Sequence, residues 1–197
     1  MDSPTQIRAK AWPWATAIVS LAAVITYRSA PLAEIFIYQR SLIFSGQIWR
    51  TWTGHIVHFG PSHLLWDLAV FLPAGCWLER LRPWSARWLY LLGPVVISAV
   101  LLAFDPALER YAGLSGLAMG TLVLLAAVHL QNRKESPWLW VGVLLLVATK
   151  IAIELRQGAP LLVSDFANIR NVPLAHFAGI GCGLISWWLL GRSGSAA

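Results

Sequence analysis

Residues 87–104 read RWLYLLGPVVISAVLLAF, with a single charged side chain at the very start. The hydrocarbon core of a bilayer asks for about 20 consecutive apolar residues in helical form, so this stretch reads as a transmembrane span. Working outward from it, further apolar segments lie at 11–28, 63–80, 114–130, 138–155 and 172–190. Six such segments use up nearly all of the 197 residues and leave no room for a soluble domain. The expectation is an all-α membrane protein with one six-span domain over 1–197. Composition points the same way: 57% of residues are hydrophobic, only 12% are charged, and the mean hydropathy is +0.62. Soluble domains carry about a quarter charged residues, roughly twice this share. Twelve tryptophans fit a chain with two membrane–water boundaries, where indole rings concentrate.

The net charge of +6 does not imply nucleic acid as a partner, because no basic run interleaves with aromatic residues. The basic residues sit instead between the apolar segments. Arg8, Lys10, Arg80, Arg82, Arg87, Arg133, Lys134 and Arg192 fall on one side of the alternating spans, and the short 104–112 connection on the other side holds Asp105 and Glu109 against Arg110. The positive-inside rule then places both termini in the cytoplasm. The first apolar segment lacks a small-residue cleavage site and reads as an anchor rather than a cleaved signal. Cys76 and Cys182 stand alone in apolar surroundings, a pattern of neither disulfide framework nor metal site. The 29–62 connection mixes Leu32, Ile35, Phe36, Ile37, Leu42, Ile43 and Phe44 with Glu34, Arg40 and Gln47, as expected of an ordered segment lying in the membrane interface.

Polar groups inside spans are expensive and mark function by default. Spans two, four and six all run from outside to inside. His55, His58, His63 and Asp67 lie just before or within the first turns of the second, Ser115 opens the fourth, and His176 stands one turn into the sixth. Three separate stretches therefore deliver their polar groups to the outer third of the membrane. A serine hydroxyl becomes a nucleophile when a histidine within hydrogen-bond reach takes its proton. Gly113-Leu114-Ser115-Gly116 sets the serine at a helix start, where unsatisfied backbone N–H groups can donate to an oxyanion. Gly116 with Gly120, and Gly179 with Gly183, give the fourth and sixth spans one GxxxG spacing each, which lets helices approach closely in lipid. His55 is expected to make an interfacial hydrogen bond, and His129 with Arg133 and Lys134 to mark a wetted cytoplasmic helix end. Lys150 and Glu154 can form an i,i+4 pair to which the sequence assigns no function.

These residues resemble the rhomboid family of intramembrane serine proteases, over nearly the whole chain. Trp49-Arg50 is similar to that family's first-loop motif, and His58-x4-His63-x3-Asp67 to its second-span histidine motif. Glu79 falls where many members end that span with a glutamate. Gly113-Leu114-Ser115-Gly116 resembles the GxSG nucleophile motif, and His176-Phe177-Ala178-Gly179 with Gly183 the sixth-span HxxGxxxG. The resemblance implies a six-helix bundle with an interfacial first loop anchored by Trp49 and Arg50. It also implies Ser115 as nucleophile, His176 as general base, His58 and the Ser115 N–H at the oxyanion, and His63 in support. No metal or cofactor is implied, and the expected substrates are single-pass membrane proteins cut near the outer face. The chain also looks like the bacterial rhombosortase branch, which implies a bacterial inner-membrane location and processing of C-terminal tails bearing Gly-Gly, an apolar helix and basic residues.

Two positions depart from the family pattern. Asp67 stands where many members have asparagine, and either a protonated carboxyl or one turned away from the reacting centre would accommodate it. Met119 stands where members often have a tyrosine against the histidine. An inactive relative that retains client helices is the alternative function. A transporter or channel is disfavoured, because no apolar segment of the sequence repeats with inverted or broken-helix symmetry. The oligomeric state is not encoded in these patterns.

Overall fold

The computed structural model describes residues 11–132, 136–157 and 172–191; of the orientation residues, Arg8, Lys10, Arg133, Lys134 and Arg192 lie outside these. Helices cover each of the six apolar segments: α1 (Trp14–Arg28), α5 (Pro61–Leu81), α6 (Pro83–Phe104), α7 (Ser115–Leu130), α8 (Trp138–Gln157) and α9 (Pro173–Ser186), the last continuing as a π-helical turn at Trp187–Gly191. Between α1 and α5 the chain forms α2 (Ala30–Phe36), β1 (Tyr38–Gln39), α3 (Arg40–Phe44), α4 (Arg50–Thr53) and a 3-10 turn at Gly54–Ile56, while β2 (Arg110–Tyr111) precedes α7. Helices α5, α6 and α9 each begin on a proline, whose fixed φ suits the first turn and whose missing N–H is not needed there. Pro94 inside α6 leaves the Tyr90 carbonyl without its helical donor, and the Trp52 indole supplies one at 3.2 Å.

By length and composition alone, the described residues hold three helices able to cross a membrane: Pro83–Phe104, Trp138–Gln157 and Pro173–Leu190. A fourth candidate, Trp14–Arg28 with Ala30–Phe36, is bent by 117°. The expected six spans are therefore not all met by this measure, for two physical reasons. Helix α7 has only 16 residues, about 24 Å at 1.5 Å per residue. Helix α5 carries Asp67, Glu79 and Arg80. The outward faces of α1, α5, α6 and α8 nevertheless expose Ile18, Leu21, Leu65, Leu91, Val95, Leu145 and Leu146. A water-soluble monomer does not present so much large apolar surface; this is an integral membrane protein.

Helix α7 is the core element. It is apolar all round, and its buried residues face every direction, from Leu117 and Ala118 to Leu124 and Leu125. At one end of the bundle, the buried Glu79 carboxylate closes α5 onto α1. It accepts from the Ala15 and Thr16 amides and the Thr16 hydroxyl, at 2.9–3.2 Å, and from Arg87 at 3.0 Å. A carboxylate at a helix N-terminus satisfies orphan N–H groups and complements the helix dipole. The same end holds a Trp77–His129–Trp140 cluster, with the His129 ring stacked 4.2 Å from Trp140. His129 is thus buried against indoles rather than wetted, which corrects the sequence expectation. The two aromatic rings of neighbouring helices offered a better surface than solvent.

At the opposite end the 29–62 connection is ordered, as its composition suggested, and is tied to the chain leading into α7. Tyr38 pairs with Tyr111 and Gln39 with Arg110 in an antiparallel two-residue bridge. Ser41 donates to Glu109 through both its amide and its hydroxyl, and Arg110 pairs with Glu34 at 2.7 Å. Arg50 donates to the Glu34 and Ile37 carbonyls and to Gln47, stitching the connection from within. Such a bridge has no sequence signature at two residues per strand.

Helices α7 and α9 meet backbone to backbone. A Cβ on Gly179 would run into the Gly116 carbonyl oxygen, one on Gly183 into that of Gly120, and one on Gly120 into that of Gly179. The rising numbers on both sides make the helices co-directional. Gly179→Ala is expected to lower the thermal unfolding temperature in detergent by several degrees, in line with about 1–3 kcal/mol for forced overpacking. Gly181→Ala, which meets nothing within 4 Å, should leave it unchanged. Equal stability of the two variants would contradict the close contact.

Candidate active site

Ser115 is the first residue of α7, and the turn before it is shaped by Gly113, whose φ is +123°. L side chains rarely adopt that conformation. The Gly113 amide donates to the Gly54 carbonyl at 3.3 Å, and the Tyr111 hydroxyl donates to the Gly113 carbonyl at 3.2 Å. The interfacial connection and β2 thus hold the serine turn from both sides. His176, in the first turn of α9, is carried to the same place by the glycine contact. Its Nε2 lies 3.0 Å from Ser115 Oγ, and its ring is buried. An imidazole nitrogen at this distance is positioned to take the hydroxyl proton.

Helix α5, with His58 just before it, supplies the facing wall. Asp67 Oδ2 lies 3.1 Å from His58 Nε2 and 3.4 Å from His63 Nε2. All three side chains are buried, and the two imidazoles meet edge to face with centroids 5.0 Å apart. The Asp67 carboxylate also meets the Leu114 backbone. It is directed at two imidazoles and the serine turn. His63 is the histidine against the turn: a Cβ on Gly113 would lie 2.5 Å from His63 Nε2 and 3.2 Å from Asp67 Oδ2. His58 stands behind the carboxylate. Met119 packs with Val147 and Ile151 of α8, filling space between α7 and α8.

His55 lies apart from this pocket. Its Nε2 is 3.2 Å from the Ser98 hydroxyl, which donates to the Thr51 carbonyl at 2.6 Å. Burial pushes the imidazole down to about 4, so it is neutral near pH 7 and ties the interfacial connection to α6.

Helix α8 contributes two residues, Lys150 and Glu154, for which no role was expected. Lys150 Nζ lies 2.6 Å from Glu154 Oε1, and Glu154 Oε2 lies 3.2 Å from His176 Nδ1. The signal was available: an ionisable pair near the outward end of span five, level with the other polar groups. What periodicity alone could not give was the rotation of α8 that turns Glu154 inward, where it is 1% exposed.

A cluster of buried polar side chains thus gathers at one end of this helical membrane protein, with a serine at a helix start facing a buried imidazole. Residues 45–193 match the rhomboid domain, and the chain belongs to the rhomboid family. It is similar to the Rhomboid protease GluP of Bacillus subtilis (strain 168), with 35% identity over 98 residues, covering 49% of this chain. The matched segment covers 19% of that relative, so the chain spans only about a fifth of the length of that protein.

The Gly113 geometry is directly testable. Gly113→Ala places a methyl group against His63 on a backbone that resists it, with an expected stability loss of about 1–3 kcal/mol. Thermal unfolding in detergent measures it, and a variant as stable as wild type would show that the turn relaxes freely.

Proposed function

We propose that this chain is an intramembrane serine endopeptidase that cleaves transmembrane segments of single-pass membrane proteins near the outer face of the bilayer. The observation that carries the reading is the 3.0 Å separation of Ser115 Oγ and His176 Nε2 across a backbone contact of two co-directional helices. In this reading Ser115 Oγ attacks the scissile carbonyl carbon while His176 Nε2 takes its proton. The developing oxyanion is met by N–H groups at the start of α7, with an imidazole from α5 opposite. His63, closer to the Gly113 turn, suits that position better than His58. The imidazolium then protonates the departing amine, and water, deprotonated by the same nitrogen, releases the acyl group from the serine.

The proposed setting is a bacterial inner membrane, crossed six times, with both termini cytoplasmic. Supporting it, Glu79, Trp77, His129 and Trp140 gather at the end opposite the pocket. Exposed Trp84, Trp138 and Trp188 lie toward that same end, as expected of residues at a membrane boundary. Within this activity, processing of C-terminal tails with Gly-Gly, an apolar helix and basic residues is the narrower proposal, resting on the stretch Gln47-Ile48-Trp49-Arg50 leading to Thr53-Gly54-His55, which resembles the rhombosortase branch. An inactive, client-retaining relative would have no use for a serine and an imidazole held at hydrogen-bond distance, and that alternative is not favoured.

Incubation of the purified chain with a membrane substrate in liposomes tests the activity. Ser115→Ala and His176→Ala are each expected to reduce cleavage by about 10³-fold or more, since members of a nucleophile–base unit fail together, and to abolish labelling by a fluorophosphonate probe. Undiminished cleavage by Ser115→Ala would end the proposal. Substrates with and without the Gly-Gly tail decide the narrower one. Asp67→Asn, which keeps an acceptor toward one imidazole, should retain cleavage; its complete loss in a folded variant would show that the carboxylate itself is required.

A further inference from the structure

We infer that Glu154 of α8 is a positioning residue for His176, holding the imidazole in the tautomer that leaves Nε2 free to accept the Ser115 proton. The inference rests on the reading of Ser115 and His176 as nucleophile and base, and extends that pair to a third helix.

The geometry is a continuous chain of four side chains. Lys150 Nζ lies 2.6 Å from Glu154 Oε1, Glu154 Oε2 lies 3.2 Å from His176 Nδ1, and His176 Nε2 lies 3.0 Å from Ser115 Oγ. An ionised carboxylate only accepts, so its place 3.2 Å from Nδ1 favours the tautomer with the proton on that nitrogen. In a neutral imidazole the other nitrogen then bears the lone pair, and here that nitrogen faces the serine. As the ring takes up the serine proton it becomes a cation, and the carboxylate stands ready to stabilise it without reorganising. Burial of a lone carboxylate would be costly; Lys150, an i,i+4 neighbour with a partly exposed side chain, offsets it and occupies the second oxygen. This leaves Oε2 for the ring.

Other groups around His176 do not substitute for this contact. From α7 it meets the serine itself. From β2, Tyr111 reaches toward Ser115 and the Gly113 carbonyl rather than the ring's Nδ1 side. From α5, His63 lies within electrostatic reach, with its Nε2 turned to Asp67. Glu154 is the acid placed at Nδ1.

The test uses the full chain in detergent, with 15N-histidine labelling and His176→Ala to assign the resonances. In wild type, His176 is expected to carry its proton on Nδ1 with Nε2 unprotonated. Glu154→Gln, whose amide can donate to Nδ1 and so favour the other tautomer, should move the proton to Nε2. It should lower kcat by about 10²–10⁴-fold with KM little changed, as when an amide replaces the acid of a serine-protease triad. Glu154→Asp should restore most of the loss and the wild-type tautomer. A purely structural role for Glu154 would alter stability without moving the tautomer. Wild-type kcat in Glu154→Gln, or an Nε2-protonated ring in wild type, would overturn the inference while leaving the Ser115-dependent activity intact. Absence of Ser115-dependent cleavage and labelling in wild type would overturn both. If Glu154→Gln fails to fold, the wild-type tautomer and the Glu154→Asp rate decide.

Discussion

The site depends on a contact that contains no side chains. Gly116 and Gly120 of α7 lie against Gly179 and Gly183 of α9 so closely that a methyl group on any of the four would strike a carbonyl oxygen. In lipid the hydrophobic effect gives helices little reason to associate, and what remains is close van der Waals packing and polar contact. A four-glycine face supplies the first. Because the two helices run in the same direction, their N-terminal ends arrive together, and Ser115 and His176 are each in the first turn. The separation of hydroxyl and imidazole is therefore set by main-chain contact, which has no rotamers to relax. A pair held instead by long side chains could drift by the ångström that proton transfer does not tolerate.

The two ends of the bundle illustrate different uses of a buried carboxylate. Glu79 accepts from two amides, a hydroxyl and Arg87, four donors on a completely buried side chain. That is a closed, fully satisfied node, and it fastens α1 and α6 to α5. Asp67 and Glu154 instead face imidazoles, groups whose protons move. Saturated nodes suit structure; carboxylates paired with titratable rings suit a pocket in which charge develops and disappears. The interfacial connection belongs to the second category by location but the first by chemistry. Its Arg50, Ser41 and β1–β2 contacts are all satisfied, and through Gly54 and Gly113 they fix the turn from which Ser115 projects.

The sequence revealed what depends on local pattern. Apolar runs located the six long helices to within a few residues because a helix in lipid must satisfy its own backbone, and chain alternation brought Ser115, His176, His58 and His63 to one end. Span count was less legible. Composition marks α7 and α5 as segments, but α7 is shorter than the hydrocarbon core and α5 carries charges, so length and apolarity alone single out only the other helices. Register-dependent contacts were not legible. Whether Glu154 points to lipid or to His176 depends on how α8 is rotated against α9, and one turn of helix offers both directions. His129 reads as a wetted end until Trp77 and Trp140, distant in sequence, are seen to enclose it. The β1–β2 bridge is shorter than any pattern a strand can display.

Charge in the pocket brings these strands together. In the proposed chemistry, attack by Ser115 creates an oxyanion and an imidazolium at once, a charge pair appearing in a partly dry site. At an effective dielectric constant near 20, unit charges about 4 Å apart interact by about 4 kcal/mol, so fixed neighbours matter on the scale of a reaction barrier. Glu154 stands on the Nδ1 side of His176, where it opposes nothing and favours the cation. Asp67 stands on the other side, near the serine turn, where a bare carboxylate would repel the oxyanion. Its oxygen is covered by His58 and His63, which turn that negative charge into an anchor for two rings rather than an exposed field. An asparagine in that place would need no such cover. In the proposed chemistry, the second imidazole on Asp67 compensates for a carboxylate held beside a developing anion.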